Sequence, residues 1–266
     1  MKSTISLKHM SFLLMLSFGV LQAQDGAPLA EKLGYEKDAK LLIVHADDIG
    51  LSQSTNQATI RAYQSGGISS SSEIPSLLDA NGYFYPSVEQ VALNADPGQV
   101  EKEIRAQIER ALSFGIRPSH LDTHMGSVAA TPELIQIYFK LGKEYDLPVL
   151  APSIMLMGMP REKREEISEQ FILLDRLLMM QAHDPALSWG EAYGQMLEMA
   201  VPGLNQLIVH LSVDNAEMQA VAVNHPAFGS AWRQRDLDFV TSREFKEMLK
   251  KYDIQLISWE DIRSVM

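Results

Sequence analysis

The sequence contains no cysteine, which excludes disulfide bonds, thiolate metal ligands and cysteine nucleophiles. It is also short of positive charge: 34 acidic residues outnumber 23 lysines and arginines, and the formal net charge is -11 at pH 7. Neither a nucleic acid nor an anionic membrane surface is expected as a partner, because both are bound through lysine and arginine. A neutral or cationic small substrate fits this charge best. Internal repeats and low-complexity tracts are missing as well.

Long hydrophobic runs are also missing, since the apolar stretch at residues 10–20 is too short to span a bilayer. Lys2 and Lys8 precede this stretch, and Leu21-Gln22-Ala23 follows it with a small residue at which a signal peptidase would cut. This is the three-part layout of a secretory signal, and it predicts export to the periplasm or out of the cell. A buried N-terminal helix is the alternative. The chain then has three parts: residues 1–24 as signal peptide, residues 25–37 as a polar leader, and residues 38–266 as one domain.

The pattern along residues 38–266 predicts an α/β fold. Hydrophobic residues make up 46% of the chain, enough to bury a core without cross-links. Apolar strand-like runs alternate with amphipathic segments, which is typical of a barrel or an open parallel sheet. We predict strands at residues 40–46, 68–72, 119–124, 147–150, 205–211 and 254–258, and helices at residues 56–64, 99–114, 132–145, 161–181, 189–199 and 242–252. Residues 72–97 show no helical periodicity, which indicates a functional loop or a missing part of the architecture.

Two adjacent aspartates, Asp47 and Asp48, follow the first predicted strand in LLIVHADDIG. Active sites of parallel α/β folds lie at the carboxyl ends of the strands, so this pair is expected to form one wall of a metal site. A helix-capping turn that uses Gly50 is the first alternative. A paired-carboxylate glycosidase is the second, although neighbours in sequence do not readily hold the separation which that chemistry needs.

A second polar cluster lies in PSHLDTHMG, residues 118–126. If this segment is a strand, His120, Asp122 and His124 share one face by alternation. Two imidazoles with a carboxylate suit Zn²⁺ or another divalent transition ion, so the cluster predicts metal ligands. Structural histidines are the alternative.

A third histidine, His210, ends the predicted strand of LIVHLSVDN and is a candidate proton donor to a leaving group. A purely structural role is its alternative. The charged side chains of SAWRQRDLDF are expected mostly on a solvated face, with Arg235 as a candidate for orienting a carboxylate. His45 and His183 receive no role from the sequence.

These segments together resemble the YdjC-like carbohydrate deacetylases, relatives in chemistry of the NodB-type polysaccharide deacetylases. LLIVHADDIGLSQSTNQATIRAYQSGGISS is similar to the opening strand, aspartate pair and first helix of that family, and RPSHLDTHMGSV to its second metal motif. GLNQLIVHLSVDN and FGSAWRQRDLDFVTSREFKEMLKKYDIQLISWEDIR are similar to its closing segments. The likeness runs from about Lys40 to Ile262.

The resemblance implies a deformed (β/α) barrel that holds a divalent metal ion, Mg²⁺ or Zn²⁺, and removes acetyl groups from N-acetylated oligosaccharides. It implies Asp48 and His124 as metal ligands and Asp47 as the general base that takes a proton from water. It also implies His210 as the acid that protonates the departing amine.

The chain departs from the family where a Gly-x-His-Leu-Thr strand normally stands. GGISSSS runs almost directly into EIPSLLD, and no histidine lies between His45 and His120. We therefore expect that one β/α unit and one histidine ligand are missing, with His120 as a candidate replacement. Two other functions stay open: a non-catalytic carbohydrate-binding protein, and a different metal-assisted hydrolase on the same barrel.

Overall fold

The structure is a computed structural model, and it describes residues 28–47, 74–181, 187–224 and 226–266. Asp48, the predicted helix at residues 56–64, the predicted strand at residues 68–72 and His183 lie outside the described residues.

Parallel strands and α-helices alternate along the described chain. In chain order the elements are α1 (Leu29–Lys32), β1 (Lys40–Asp47), α2 (Val88–Asn94), α3 (Pro97–Ser113), α4 (Pro132–Glu144), α5 (Arg161–Gln170), β2 (Arg176–Met179), α6 (Trp189–Glu198), β3 (Gly203–His210), α7 (Ala216–Val221), α8 (Ser230–Val240), α9 (Arg243–Lys251), β4 (Ile254–Leu256) and α10 (Trp259–Arg263). Short 3₁₀ helices lie at Pro75–Leu77, His124–Ala129, Ser153–Leu156 and Pro226–Phe228.

The four strands form one parallel sheet in the order β2-β3-β1-β4. Strand β1 lies between β3 and β4, and its ladder with β3 runs without a break from Lys40–Gly203 to Asp47–His210. Two isolated parallel bridges, Leu121 with Val149 and Pro152 with Leu174, join further segments in the same direction. The predicted α/β class with a parallel sheet is confirmed.

Both faces of β1 are covered, as its apolar run predicts for a central parallel strand. Leu42 packs with Leu207 and Tyr193 in a cluster formed with α6, α8 and α9. Leu41 and Ile43 point to the opposite face and pack with residues of α1 and α10. A third cluster, between α3, α4 and α5, is centred on Tyr138 and Phe139.

The predicted helix at residues 161–181 is wrong in its second half. Helix α5 ends at Gln170, Phe171 takes extended backbone angles (φ -129°, ψ 145°), and Arg176–Met179 pairs with β3. The polar sequence REKREEISEQ is helical, whereas the apolar sequence after it is drawn into the sheet. Pairing with a neighbouring strand decided this segment, because a short apolar run fits a buried helix and a strand equally well.

Two other predictions are corrected. The strand at residues 119–124 reduces to the single bridge at Leu121, and the chain turns into a 3₁₀ helix from His124. The segment at residues 72–97 contains α2, which Ser87 caps by accepting a hydrogen bond from the backbone N–H of Gln90. Within the described ranges, no helix is both long and apolar enough to cross a membrane.

Candidate active site

The carboxyl ends of β1 and β3 bring two of the predicted catalytic residues to the same level of the sheet. Asp47 and His210 are register partners at the last rung of the β1–β3 ladder. Neighbouring strands in a sheet lie about 5 Å apart, so these two backbone positions are adjacent. The structure describes the backbone of Asp47 but not its side chain, and Asp48 follows outside the described residues.

Beside this rung lies a contact between the imidazole of His45 in β1 and the carboxylate of Asp122. The Nε2 atom of His45 is 3.3 Å from Oδ2 of Asp122, and the two side chains are 14% and 29% exposed. Burial alone would raise the pKa of Asp122, but the hydrogen bond and charge of His45 outweigh it and hold that pKa below its ordinary value. His45, to which the sequence assigned no role, therefore lies within the candidate site.

His120 lies next to His45, between that residue and Trp259. Its ring contacts the ring of His45 edge-on at 5.4 Å between centroids and stacks on Trp259 at 4.6 Å. Burial, with the neighbouring His45 as a second cause, lowers the pKa of His120 to about 4, so its imidazole is neutral at pH 7. Nδ1 lies 3.0 Å from the hydroxyl of Ser119, and the buried Nε2 atom has no hydrogen-bond partner among the described residues.

His124 begins the 3₁₀ segment that replaces the end of the predicted strand. The turn is fixed by Thr123, whose hydroxyl accepts a hydrogen bond from the backbone N–H of Val128 at 3.1 Å. Met125 and Gly126 both have positive φ angles, which lets the chain reverse there. His124 is exposed, and together with Asp122 and Thr123 it lines a pocket beside the site. The prediction that three alternating residues share one strand face is wrong, because the strand ends before His124.

His210, at the end of β3, is held by a buried carboxylate. Asp236 of α8 is 1% exposed, and its Oδ2 atom accepts a hydrogen bond from the backbone N–H of His210 at 3.0 Å. Its Oδ1 atom accepts from the hydroxyl of Tyr193 at 2.7 Å and from the indole N–H of Trp189 at 3.2 Å. The ring of His210 contacts Phe228, with centroids 5.3 Å apart. Asp236 thus ties the end of β3 to α6 and α8.

The expectation of a solvated face in SAWRQRDLDF is only half right. Asp238 is exposed, but Arg233 and Asp236 are buried. Arg233 donates from Nε to the carbonyl of Phe228, and the guanidinium of Arg235 lies over the ring of Trp189, 5.5 Å from its centroid. Helical spacing could have indicated that these two residues are buried. Arg233 and Asp236 are three positions apart, so they lie on the same side of α8 as its apolar residues.

The donor chemistry at this edge of the sheet suits a divalent transition ion, although the described part of the chain does not complete a site. No three histidine, aspartate or glutamate side chains of the described residues form a group able to hold a metal ion. Imidazoles and a carboxylate of the kind such ions bind do lie together, and within the described ranges the buried Nε2 atom of His120 has no hydrogen-bond partner. The predicted ligand Asp48 follows Asp47 in the sequence and lies outside the described residues.

The fold and these residues define an α/β protein with a polar site at the carboxyl end of a parallel sheet. The chain belongs to the family of YdjC-like proteins, whose model matches residues 69–251, more than half of the chain.

Curated relatives carry the name carbohydrate deacetylase. That of Brevibacillus brevis is 26% identical over 269 residues, which cover 83% of this chain and 99% of the relative. That of Thermus thermophilus is 27% identical over 279 residues, which cover 90% of this chain and 99% of the relative. A solved structure from Enterococcus faecalis V583, described as a cellobiose-phosphate cleavage protein, is 21% identical. It matches with a TM-score of 0.65 over 84% of this chain and 99% of that one, which supports the fold.

Proposed function

We propose that the protein is a metal-dependent hydrolase that removes acetyl groups from N-acetylated sugars or oligosaccharides. The observation that carries this proposal is the rung at which Asp47 and His210 end adjacent strands, in a chain of the YdjC-like family. A carboxylate and an imidazole at neighbouring positions are the pair that acid–base hydrolysis of an amide requires. The names of the relatives give the substrate class.

Each residue has one role in the proposed reaction. Asp48 and His124 would hold the ion, which supplies polarisation of the acetyl carbonyl and a lower pKa of water. Asp47 accepts a proton from the attacking water. His210 donates a proton to the sugar nitrogen as the C–N bond breaks, so acetate and a free amine leave. Asp236 positions His210 through its backbone N–H, and the His45–Asp122 pair fixes the neighbouring wall of the cleft.

We further propose that the fold is a barrel of the deacetylase type that has lost one β/α unit. The alignment lengths support this. Because 83% of a 266-residue chain is about 221 residues, an alignment over 269 residues leaves about 48 positions without a counterpart here. A β/α unit of an eight-unit barrel takes about 30 residues, so the gap is large enough for one unit.

A second function, carbohydrate binding without catalysis, is favoured by one observation. The chain has no histidine between His45 and His120, where the resemblance implies one of the family's metal ligands, whereas a catalytic zinc site ordinarily has three protein ligands. A different metal-assisted hydrolysis on the same fold would give metal binding but no acetate. We also propose export through the N-terminal segment, on the strength of its charged, apolar and small-residue parts.

Metal content and acetate release from chitooligosaccharides separate these functions. The deacetylase predicts about one divalent ion per chain and acetate release that a chelator abolishes. Sugar binding with neither metal nor acetate would establish the binding protein and refute the deacetylase.

Two substitutions then test the roles. Asp48→Ala is expected to lower metal occupancy, whereas Asp47→Asn is expected to keep the metal and lose turnover by about 10²-fold or more, the size of a general-base contribution. Asp238→Asn, which changes an exposed aspartate of α8, serves as the matched control and should leave both measurements unchanged. An unaltered rate in Asp47→Asn would show that another group is the base.

A further inference from the structure

A pocket of about 510 Å³ opens beside His124, between α2, α3, α4 and the 3₁₀ segment His124–Ala129. This volume lies within the range of small-molecule sites. Asp122, Thr123 and His124 form part of its wall, so the pocket is continuous with the candidate active site.

The interior of the pocket is built from aliphatic and aromatic side chains contributed by several elements. Those that define it are Leu77, Val91, Val100, Ile104, Ile108 and Leu134. Four of these, Leu77, Val100, Ile108 and Leu134, are buried beneath its surface and give it a preformed apolar floor.

Several polar atoms in this wall are already engaged with the protein. The hydroxyl of Tyr138 donates to the carbonyl of Leu121 at 2.6 Å, and the carbonyl of Leu150 lies 3.3 Å from the same hydroxyl. The hydroxyl of Thr123 accepts from the backbone of Val128. The amide of Gln107 donates to Glu103 at 3.0 Å.

A sugar ring presents several hydroxyls that need hydrogen-bond partners, and a buried polar group without one is costly. The interior of this pocket therefore suits an apolar group better than a sugar ring, whereas its edge at Asp122 and His124 is polar.

We propose that the pocket binds an apolar chain of several carbons carried by the amino-sugar substrate, with the sugar at the polar edge and the chain inside. This inference rests on the proposed function. The chain is either an N-acyl group longer than acetyl or an alkyl or aryl aglycone, since both have the same apolar chemistry. In either case the substrate is an amphipathic glycoconjugate and not a bare oligosaccharide.

The test is equilibrium binding by calorimetry to the Asp47→Asn protein, so that no ligand is consumed. The probes are N-acetyl-, N-butanoyl- and N-octanoylglucosamine, together with the octyl glycoside of N-acetylglucosamine. Affinity is expected to rise about threefold to fourfold for each added methylene that enters the pocket, the value of removing one CH₂ group from water.

Variants within and outside the pocket locate the effect. Ala111→Phe fills the pocket from α3, and Val91→Phe fills it from α2; each should erase the dependence on chain length. Ala106→Phe makes the same substitution on α3 at a position outside the pocket lining, and it should preserve the dependence. Thermal melting of all three confirms folded protein, and the two pocket variants on different helices guard against the failure of one.

The outcomes are distinct. A rise through the N-acyl series supports the acyl chain as the occupant, and a rise confined to the octyl glycoside supports the aglycone. Equal affinity for all four probes, or a rise that survives both pocket variants, overturns the inference. Binding that depends on chain length without any acetate release from the unaltered protein would refute the deacetylase and leave the apolar pocket. Acetate release together with equal affinities for the four probes would support the deacetylase and refute the apolar pocket.

Discussion

Three hydrogen bonds to Asp236 hold the end of β3 and helix α6 against helix α8, so loss of this carboxylate should destabilise the protein. Asp236→Ala removes the acceptor for the backbone N–H of His210 and for the hydroxyl of Tyr193, which is 0% exposed. Each donor left buried without a partner costs about 1–3 kcal/mol. The indole N–H of Trp189 is only half-buried and regains water more cheaply.

Part of this cost is offset, because the folded state no longer buries a carboxylate. We therefore expect Asp236→Ala to lower the free energy of unfolding by about 2–4 kcal/mol, a large part of the 5–15 kcal/mol that typical domains possess. Asp236→Asn keeps the side-chain volume but replaces one acceptor oxygen by a donor NH₂ group, so we expect it to lower the free energy of unfolding by about 1–3 kcal/mol.

Urea unfolding followed by tryptophan fluorescence measures these differences, with the slope of the unfolding free energy against urea checked for constancy. Asp238→Ala is the matched control, because Asp238 lies on the same helix and is exposed; its effect should stay within about 0.5 kcal/mol. Equal midpoints for Asp236→Ala and Asp238→Ala would refute the reasoning. A double-mutant cycle with Tyr193→Phe should show coupling, because the two residues share a hydrogen bond.

Three further outcomes are expected. The pKa of His120 is about 4 in the folded protein against 6.5 for the free side chain, so the unfolded chain binds the extra proton between these values. The stability that His120 contributes is therefore present above pH 6.5 and is lost as the pH falls towards 4. Because of this group, the free energy of unfolding should be about 2 kcal/mol lower at pH 5 than at pH 7. His120→Asn should remove that difference. Gly203→Ala should lower the free energy of unfolding in urea by about 2 kcal/mol or more, because Gly203 has φ +102° and an added Cβ would collide with Asp175. Gly158→Ala is the control: an added Cβ there meets open space, so the free energy of unfolding should hardly change. Mass spectrometry of protein exported from a bacterial host should give an N terminus near Gln24, and an uncleaved chain retained inside the cell would contradict the export signal.

The sequence predicts the central strands and the best-capped helices well. Strand β1 contains the apolar run Leu41–Val44 and β3 the apolar run Leu207–Val209, as expected for strands that are buried on both faces. Helix α6 begins where Ser188 and Glu191 form a capping box, and α9 begins where Ser242 caps the backbone N–H of Phe245. These signals are local, so they can be read without knowledge of the tertiary structure.

Contacts between distant segments could not be predicted in this way. Periodicity places His45 on a strand and Asp122 near another, but it does not say that these two segments meet, and the 3.3 Å pair was therefore missed. The buried role of Asp236 was missed for the same reason, since its three partners come from α6 and from the end of β3. The end of α5 was misplaced because pairing of Arg176–Met179 with β3 is a tertiary interaction.

The position of β1 in the sheet has a consequence for how the chain acquires its structure. β1 comes first among the strands, yet its two neighbours lie more than 150 residues further along the chain, at Gly203–His210 and Ile254–Leu256. Both edges of β1 therefore remain unsatisfied until nearly all of the polypeptide has been synthesised. Pairing over such separations is slow, because the entropy of closing a long loop is lost before the contacts form. The pairing of β1 with β4 can form only after residues 254–256 have been made, so a ribosome-bound chain that stops before Ile254 would present one side of β1 to any other extended segment nearby.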